Sequence, residues 1–244
     1  DSELVAAFTA RADAAVRFGI TSIQNMAGSV EPATLRRILP QLHLPIRLRI
    51  IPMPVTTPSG RDLRGWSELS APAGSRIQVS GVKWILDGTP VERLAVLRAP
   101  YSDRPGWYGR LNFPPDTVRV LLEEALRAGE QPSLHAVGDS AIGLAFSTMA
   151  ALAPDSVWRR LRPRIEHGEG VAPDLMPLAK RLGVIVAQNP THLGLGAVAA
   201  ARYGDDRLAI LQPLRTLLAS GIPVALGSDG PINPFLNIML AAMH

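Results

Sequence analysis

Short runs rich in β-branched residues alternate along this chain with segments whose apolar positions recur at helical spacing. The first segment, Ser2–Phe18, has helical spacing and ends at Gly19. Seven strand-like runs follow, and each precedes a helix or a connection of helix length. The predicted strands are Ile20–Met26, Ile46–Met53, Ile77–Gly88, Ser133–Asp139, Arg164–Glu169, Gly183–Pro190 and Ile222–Pro231. The segments predicted to be helical are Glu31–Leu42, Ser59–Leu69 (weakly), Asp116–Ala128, Ser140–Ala151, Pro173–Leu182, Asp206–Ala219 and the apolar Phe235–Met243.

This alternation predicts an α/β fold. Strands that alternate with crossover helices form a parallel sheet covered on both faces, either as an open doubly wound sheet or as a (β/α)8 barrel. A full barrel takes about 250 residues, so seven units in 244 residues match an incomplete TIM-type barrel whose first strand is missing. We expect one catalytic barrel domain over residues 1–244. Because the sequence lacks an initiator Met and starts and stops inside helical patterns, we also expect an internal fragment of a longer chain.

Composition removes several classes of protein. The chain is 47% apolar and 19% charged, which is typical of a folded globular domain. Its net charge of +4 comes from scattered basic residues, so we expect no nucleic-acid partner. No apolar stretch predicts a membrane span, and no secretory signal opens the sequence, so we expect a cytoplasmic location. With no cysteine, disulfides and Cys-ligated zinc are excluded, and a metal site would use His and carboxylate ligands.

Side chains capable of chemistry recur at the carboxyl ends of the predicted strands, where parallel α/β folds bind ligands. They are Lys83 with Asp87, His135 with Asp139, His167 beside Glu166, Gln188 and Asn189 before His192, and Asp229. Taken singly, each has a structural explanation: a hydrogen-bonded core histidine, an ion pair between Lys83 and Asp87, or a helix cap by Asp229. Four of the seven strands end in a His, Lys or Asp, and this clustering favours a shared site.

The residue types at this cluster suit a metal-dependent hydrolase. Two neutral imidazoles and a carboxylate are standard ligands of zinc and similar divalent ions. A lysine beside them becomes useful when burial keeps its amine neutral, because a neutral amine takes up carbon dioxide and forms an anionic carbamate. A carbamate can bridge two metals, and such a pair would acidify bound water and polarise a carbonyl together.

The combined motifs resemble those of the amidohydrolase superfamily. In order along the chain, GVKWILDG, LHAVGD, RIEH, QNPTH and LGSDGP are similar to the strand motifs of amidohydrolase family 3, a branch that includes N-substituted formamide deformylase-like enzymes. The similarity extends from GITSIQNM to SDGPINP and so covers nearly the whole chain. The resemblance implies a hydrolase that acts on carbon–nitrogen bonds other than peptide bonds, through metal-activated water.

The resemblance also implies a role for each matched residue. Lys83 matches the strand-4 lysine that is often carboxylated and bridges the metals. His135 and His167 match the histidine ligands of the more buried metal on strands 5 and 6. Asp229 matches the strand-8 aspartate, which binds metal and shuttles the proton of the attacking water. His192 is the second catalytic candidate, since it would contact the substrate carbonyl; a simple loop histidine is the alternative.

Three further residues are candidates for substrate binding. Asp139 is a motif member with the alternative role of helix cap. Trp107 and Tyr108 lie in the long loop Ala99–Pro115 after the strand of Lys83, and a long loop at this position is often a lid. An ordered surface loop is the alternative for both aromatic residues.

One family feature is absent from this sequence. The family's first strand carries a His-x-His pair for the first metal, and no His-x-His occurs here. We expect that strand upstream of Ser2. Lys83, His135 and His167 would still hold one metal, with zinc as the expected ion and one or two ions in all. A small molecule is the expected substrate, and a homo-oligomer is compatible with the sequence. Two alternatives stay open: an aldolase-like lyase that uses Lys83 as a Schiff-base nucleophile, and an inactive barrel fragment that only binds ligand.

Overall fold

The β-branched runs form short strands, and the segments between them form helices. The computed structural model describes residues 1–28, 30–57, 60–62, 65–208 and 213–243. The strands are β1 Ser22–Ala27, β2 Arg47–Pro52, β3 Val55–Thr57, β4 Gly60–Asp62, β5 Ile77–Val79, β6 Val82–Ile85, β7 Pro132–Ala136, β8 Arg164–His167, β9 Ile185–Gln188 and β10 Val224–Leu226. The α-helices are α1 Ser2–Arg17, α2 Pro32–Ile38, α3 Pro115–Ala128, α4 Asp139–Leu152, α5 Asp155–Leu161, α6 Met176–Leu182, α7 Gly196–Tyr203, α8 Asp205–Leu208, α9 Leu214–Ala219 and α10 Pro234–Met243. Two short 3-10 helices cover Leu39–Gln41 and Pro190–Leu195.

The strands within the described residues form two parallel sheets and one hairpin. One parallel sheet has the order β1-β2-β5, and the other has the order β10-β9-β8-β7-β6. The hairpin pairs β3 with β4 in antiparallel fashion. The larger sheet keeps a close register, with Ile85 opposite His135 and Leu226 opposite Gln188. The carboxyl ends of its strands therefore lie at one edge, which confirms the predicted α/β fold with parallel sheets.

The predicted strand Ile77–Gly88 is wrong as a single element. It divides into β5 and β6, which belong to different sheets. The division falls at Gly81, whose φ is +76°, a conformation that only glycine adopts readily. A Cβ at Gly81 would also lie 2.9 Å from the backbone carbonyl oxygen of Gln131, so this close approach likewise favours glycine.

The main core lies between the larger sheet and the helices that cover it. Val82, Trp84 and Leu86 contribute one side of β6 to this core, together with Leu134 of β7 and the fully buried Phe146 of α4. Strand alternation then directs Lys83 and His135 to the opposite side of the sheet. A second core packs α2 against β2. The helices thus fix which face of the strands carries the candidate chemistry.

The basic stretch from Trp158 to Arg164 differs from the solvated connector that its charge predicts. Its first part is α5, and Trp158 on this helix is completely buried. The indole nitrogen of Trp158 donates a hydrogen bond of 2.7 Å to the carbonyl of Met149. Arg159 and Arg160 therefore lie on the exposed face of α5, and Trp158 on its other face packs into the core.

Two other helix predictions change. In Ser59–Leu69, the described residues Gly60–Asp62 form a strand of the hairpin; Ser59, Leu63 and Arg64 lie outside the described residues. In Asp206–Ala219, the structure has α8 and α9, and residues 209–212 between them lie outside the described part. No helix in the described ranges is both long and apolar enough to span a membrane.

Candidate active site

Two histidines meet where β7 and β8 end. The ring centroids of His135 and His167 are 4.3 Å apart, with an angle of 65° between the planes. Strand alternation alone would place His167 on the side of Ile165, which lies in the core under the helices. A φ of +71° at His167 ends the extended backbone. The ring therefore lies against His135 on the side of the sheet away from the helices.

Burial keeps both imidazoles neutral. The pKa of His135 is lowered to about 4, mainly by burial and next by the nearby Lys83 charge. Burial likewise lowers the pKa of His167 to about 2, with His135 and Lys83 as the next causes. The amide nitrogen of Asn189 lies 3.2 Å from Nδ1 of His167 and holds that ring in place. Neutral imidazoles with free lone pairs are the form that binds metals.

Lys83 lies on the same side of the sheet as His135. In the parallel register, Lys83 is opposite Ser133, two residues before His135. Its side chain is almost fully buried, and burial lowers its pKa to about 8; Glu166 and Asp229 oppose this shift and Arg164 adds to it. The amine is therefore still mostly protonated at pH 7, but its neutral fraction is far larger than that of an ordinary lysine.

Asp229 and His192 lie on the open side of the histidine pair. Oδ2 of Asp229 lies 3.9 Å from Nε2 of His167 and 3.7 Å from Nε2 of His192. The Asp229 side chain is 59% exposed, so the carboxylate borders both the buried rings and solvent. The His192 ring stacks on His167 at 5.4 Å and 12°. The structure thus brings four of the predicted residues into one cluster, with Lys83 beside it on the same face.

Glu169 is a site residue that the sequence reasoning missed. Its Oε1 lies 3.1 Å from Nδ1 of His192, and this hydrogen bond is the main cause of the raised pKa of His192. Ligand atoms of His167, Glu169 and His192 lie within 4.8 Å of one another, close enough to share a metal ion. The signal was present in the sequence, because a carboxylate follows the strand histidine by two positions.

Asp87 joins the loops that follow β6 and β7. Its carboxylate is fully buried and accepts backbone N–H bonds from Val137 at 3.0 Å and from Val96 and Gly138 at 2.9 Å. Burial raises the pKa of Asp87 to about 6, and these three hydrogen bonds oppose that rise. Its Oδ1 also lies 3.9 Å from Nε2 of His135. Asp87 therefore fixes the backbone on which the site is built.

The predicted substrate-binding residues make structural contacts of their own. Asp139 is the first residue of α4, and its carboxylate accepts a hydrogen bond of 2.9 Å from the backbone N–H of Arg98. The Trp107 indole donates to the carbonyl of Arg93 at 2.6 Å. Tyr108 is half exposed. These contacts order the long loop, and a role for Asp139, Trp107 and Tyr108 in binding substrate stays a prediction.

Fold and site together define an α/β protein of parallel strands whose candidate active site lies at their carboxyl ends. The chain belongs to the amidohydrolase family, which it matches over residues 1–244. This match confirms the family-level resemblance seen in the strand motifs.

Two curated relatives and one solved structure illustrate the similarity. YtcJ of Bacillus subtilis (strain 168), which is named as an amidohydrolase, is 26% identical over 170 residues, covering 69% of this chain and 32% of YtcJ. The protein LONG AFTER FAR-RED 3 of Arabidopsis thaliana is 29% identical over 170 residues, covering 68% of this chain and 29% of that protein. The chain thus spans about a third of these relatives. An uncharacterized metal-dependent hydrolase from Pyrococcus furiosus has the same fold, with a TM-score of 0.78 at 24% identity over 93% of this chain and 47% of that one.

Proposed function

We propose that this chain forms the catalytic domain of a metal-dependent hydrolase that cleaves carbon–nitrogen bonds other than peptide bonds, with small non-peptide amides as substrates. The observation that carries the proposal is the convergence of His135, His167 and Asp229 at one strand edge, next to buried Lys83. Membership of the amidohydrolase family supports the same reaction class.

The buried donor atoms fit a divalent metal such as zinc. Nε2 of His135 is buried and has no hydrogen-bond partner among the described residues, which is a costly state unless a ligand occupies it. Lys83, as a carbamate, and Asp229 would complete a nitrogen and oxygen ligand set with His135 and His167. When bound, a divalent metal supplies a Lewis acid that lowers the pKa of water and polarises a carbonyl.

The protein's own residues then divide the remaining work. Asp229 borders solvent, so its carboxylate can accept the proton of the attacking water and return it to the leaving amine. His192 lies 3.7 Å from that carboxylate, and in its protonated form it can donate a hydrogen bond from Nε2 to the substrate carbonyl oxygen while Nδ1 donates to Glu169. Burial of Lys83 and the histidine pair excludes water from the deeper side of the site.

The strands favour a (β/α)8-type barrel; because the predicted strand Ile77–Gly88 divides into β5 and β6, the two parallel sheets together have eight strands among the described residues, where the sequence predicted seven. Side chains from opposed strands support this arrangement, because Arg164 of β8 donates a hydrogen bond to Gln24 of β1. Arg49 of β2 likewise donates to Gln131, just before β7, at 2.8 Å. Such contacts link the two parallel sheets across a common interior. We therefore describe residues 1–244 as a single barrel domain.

A Schiff-base lyase is the second candidate, and the lowered pKa of Lys83 is the observation in its favour. A neutral buried amine suits attack on a carbonyl as well as uptake of carbon dioxide. The adjacent neutral histidines and Asp229 favour the hydrolase, since a Schiff-base reaction requires no such ligand set. Borohydride with a carbonyl substrate would trap Lys83 covalently if the lyase were correct.

Metal analysis and amide hydrolysis in the full-length protein test the proposal. We expect bound divalent metal, release of p-nitroaniline from a panel of N-acyl p-nitroanilides, loss of this activity after chelation and recovery with zinc. Lys83→Ala and Asp229→Ala should each remove most turnover, while His43→Asn, a change at an exposed histidine, should not. A metal-free protein that stays inert towards the panel after zinc is added would instead favour a barrel that only binds ligand.

A further inference from the structure

We propose that Glu169 is a positioning residue for His192: its carboxylate accepts a hydrogen bond from Nδ1 of His192 and so directs Nε2 towards Asp229 and the reacting carbonyl. This inference rests on the proposed hydrolase function. It assigns to Glu169 a task that acts through another residue and involves no contact of its own with substrate.

The backbone on both sides of Glu169 is held rigidly. Gly168 N–H donates to the carbonyl of Ala136 at 3.2 Å, and Gly170 N–H donates to the carbonyl of Val137 at 2.8 Å. A Cβ at Gly170 would lie 2.5 Å from the backbone nitrogen of Asp139. Glu169 is therefore fixed between two residues that pack directly on the end of β7 and the loop after it, and its side chain is buried.

The ring of His192 depends on Glu169 for its orientation. The His192 backbone is set by an N–H bond of 2.9 Å to the carbonyl of Asn189, and the ring stacks flat against His167. Stacking alone permits two orientations that differ by a half-turn about the Cβ–Cγ bond. The Oε1 to Nδ1 contact of 3.1 Å selects one of them, and in it Nε2 lies 3.7 Å from Oδ2 of Asp229.

A direct metal-ligand role for Glu169 is the competing interpretation, since its ligand atoms cluster with those of His167 and His192. The geometry favours positioning. Glu169 faces Nδ1 at hydrogen-bond distance, and Nε2 lies on the Asp229 side of the ring. Carboxylates that orient a histidine through its second nitrogen are a common supporting feature of metal sites.

Nitrogen-15 NMR of the histidine rings in full-length protein tests this directly, without any need for turnover. His192→Asn identifies the His192 signals among the five histidines. In metal-free and zinc-loaded wild type we expect a protonated Nδ1 on His192. In Glu169→Gln, Nδ1 of His192 should keep its proton, because the glutamine amide oxygen still accepts the hydrogen bond. In Glu169→Ala, the preference for a proton on Nδ1 should be lost. Glu123→Gln, on the exposed side of α3 and paired with Arg119, is the matched control.

Metal content and kinetics complete the test. We expect Glu169→Ala to keep the zinc content of the wild type, while kcat on the responsive N-acyl p-nitroanilide falls by about 10- to 100-fold and KM changes by less than about twofold. Glu169→Gln should recover most of kcat. Loss of one zinc equivalent in Glu169→Ala, or an Nδ1 that is metal-bound or unchanged by that substitution, would overturn the proposal. Wild type that hydrolyses no amide would refute the proposed function alone, since the NMR result would still decide the orientation of His192.

Discussion

Replacing Asp87 with asparagine tests how the loops around the site are held. The carboxylate of Asp87 accepts three backbone N–H bonds in a fully buried position. Asparagine has the same shape, but only its Oδ1 accepts hydrogen bonds; with Oδ1 in place of the oxygen that Val96 and Gly138 share, its NH2 group faces the N–H of Val137. One bond to a charged acceptor is lost, two buried donors face each other, and the other two bonds are weaker because their acceptor is neutral.

Each hydrogen bond to a charged group contributes about 1.5–3 kcal/mol, so the lost bond alone predicts a decrease of about 1.5–3 kcal/mol in the free energy of unfolding. Urea unfolding at pH 8, where Asp87 is ionised because its pKa is about 6, measures this through tryptophan fluorescence. Asp174→Asn is the control: its side chain is 61% exposed and paired only with Arg98 among the described contacts, so we expect a change within about 0.5 kcal/mol. An Asp87→Asn protein within about 1 kcal/mol of wild type would refute the reasoning.

Three further predictions concern packing, a buried ion pair and pH. Gly138→Ala should destabilise the fold by at least about 3 kcal/mol, because its Cβ would lie 2.0 Å from the carbonyl oxygen of Val96, whereas Gly194→Ala, with open space around it, should be near neutral in thermal unfolding. Glu166→Gln removes the buried negative charge that lies 2.8 Å from the guanidinium of the largely buried Arg164 and should cost about 3–5 kcal/mol. A double variant that also replaces Arg164 with methionine should lose less stability, and equal losses in the two variants would argue against a stabilising ion pair. Burial raises the pKa of Tyr101 above the value of about 10 expected in the unfolded chain, so the unfolded state ionises first and stability should fall as pH rises above about 10. Spectrophotometric titration against a Tyr101→Phe variant checks this, and ionisation of Tyr101 before unfolding would contradict it.

The larger pattern of the fold follows from local sequence signals. Apolar runs such as the first three residues of β9 become central strands because both faces of a parallel sheet are covered. Glycines that end helices are equally informative, since Gly129 and Gly183 take left-handed conformations at the ends of α3 and α6. Periodicity therefore predicted the order of strands and helices and placed His135 and Lys83 on one face.

The parts that sequence reasoning missed depend on contacts between distant segments. The break between β5 and β6 falls at Gly81, whose positive φ and close approach to the backbone carbonyl of Gln131 exist only in the folded chain. Trp158 is buried by a contact with α4 that its basic neighbours conceal. Glu169 and His192 are separated by 23 positions, so their hydrogen bond exists only once β8 and β9 lie side by side.

Backbone strain gives an independent reason to assign function to the strand ends. Among the described residues, four that are not glycine have positive φ, namely Arg93, Arg162, His167 and Asp229. Arg162 ends a helix, where a left-handed residue completes the last turn. His167 and Asp229 have no such task, and a non-glycine residue with positive φ is costly unless its surroundings require it. In both cases the unusual backbone brings an imidazole or a carboxylate to the cluster around His135 and His192. A purely structural histidine would satisfy its ring nitrogens without this cost, so the strain at these two positions favours selection for chemistry over selection for packing.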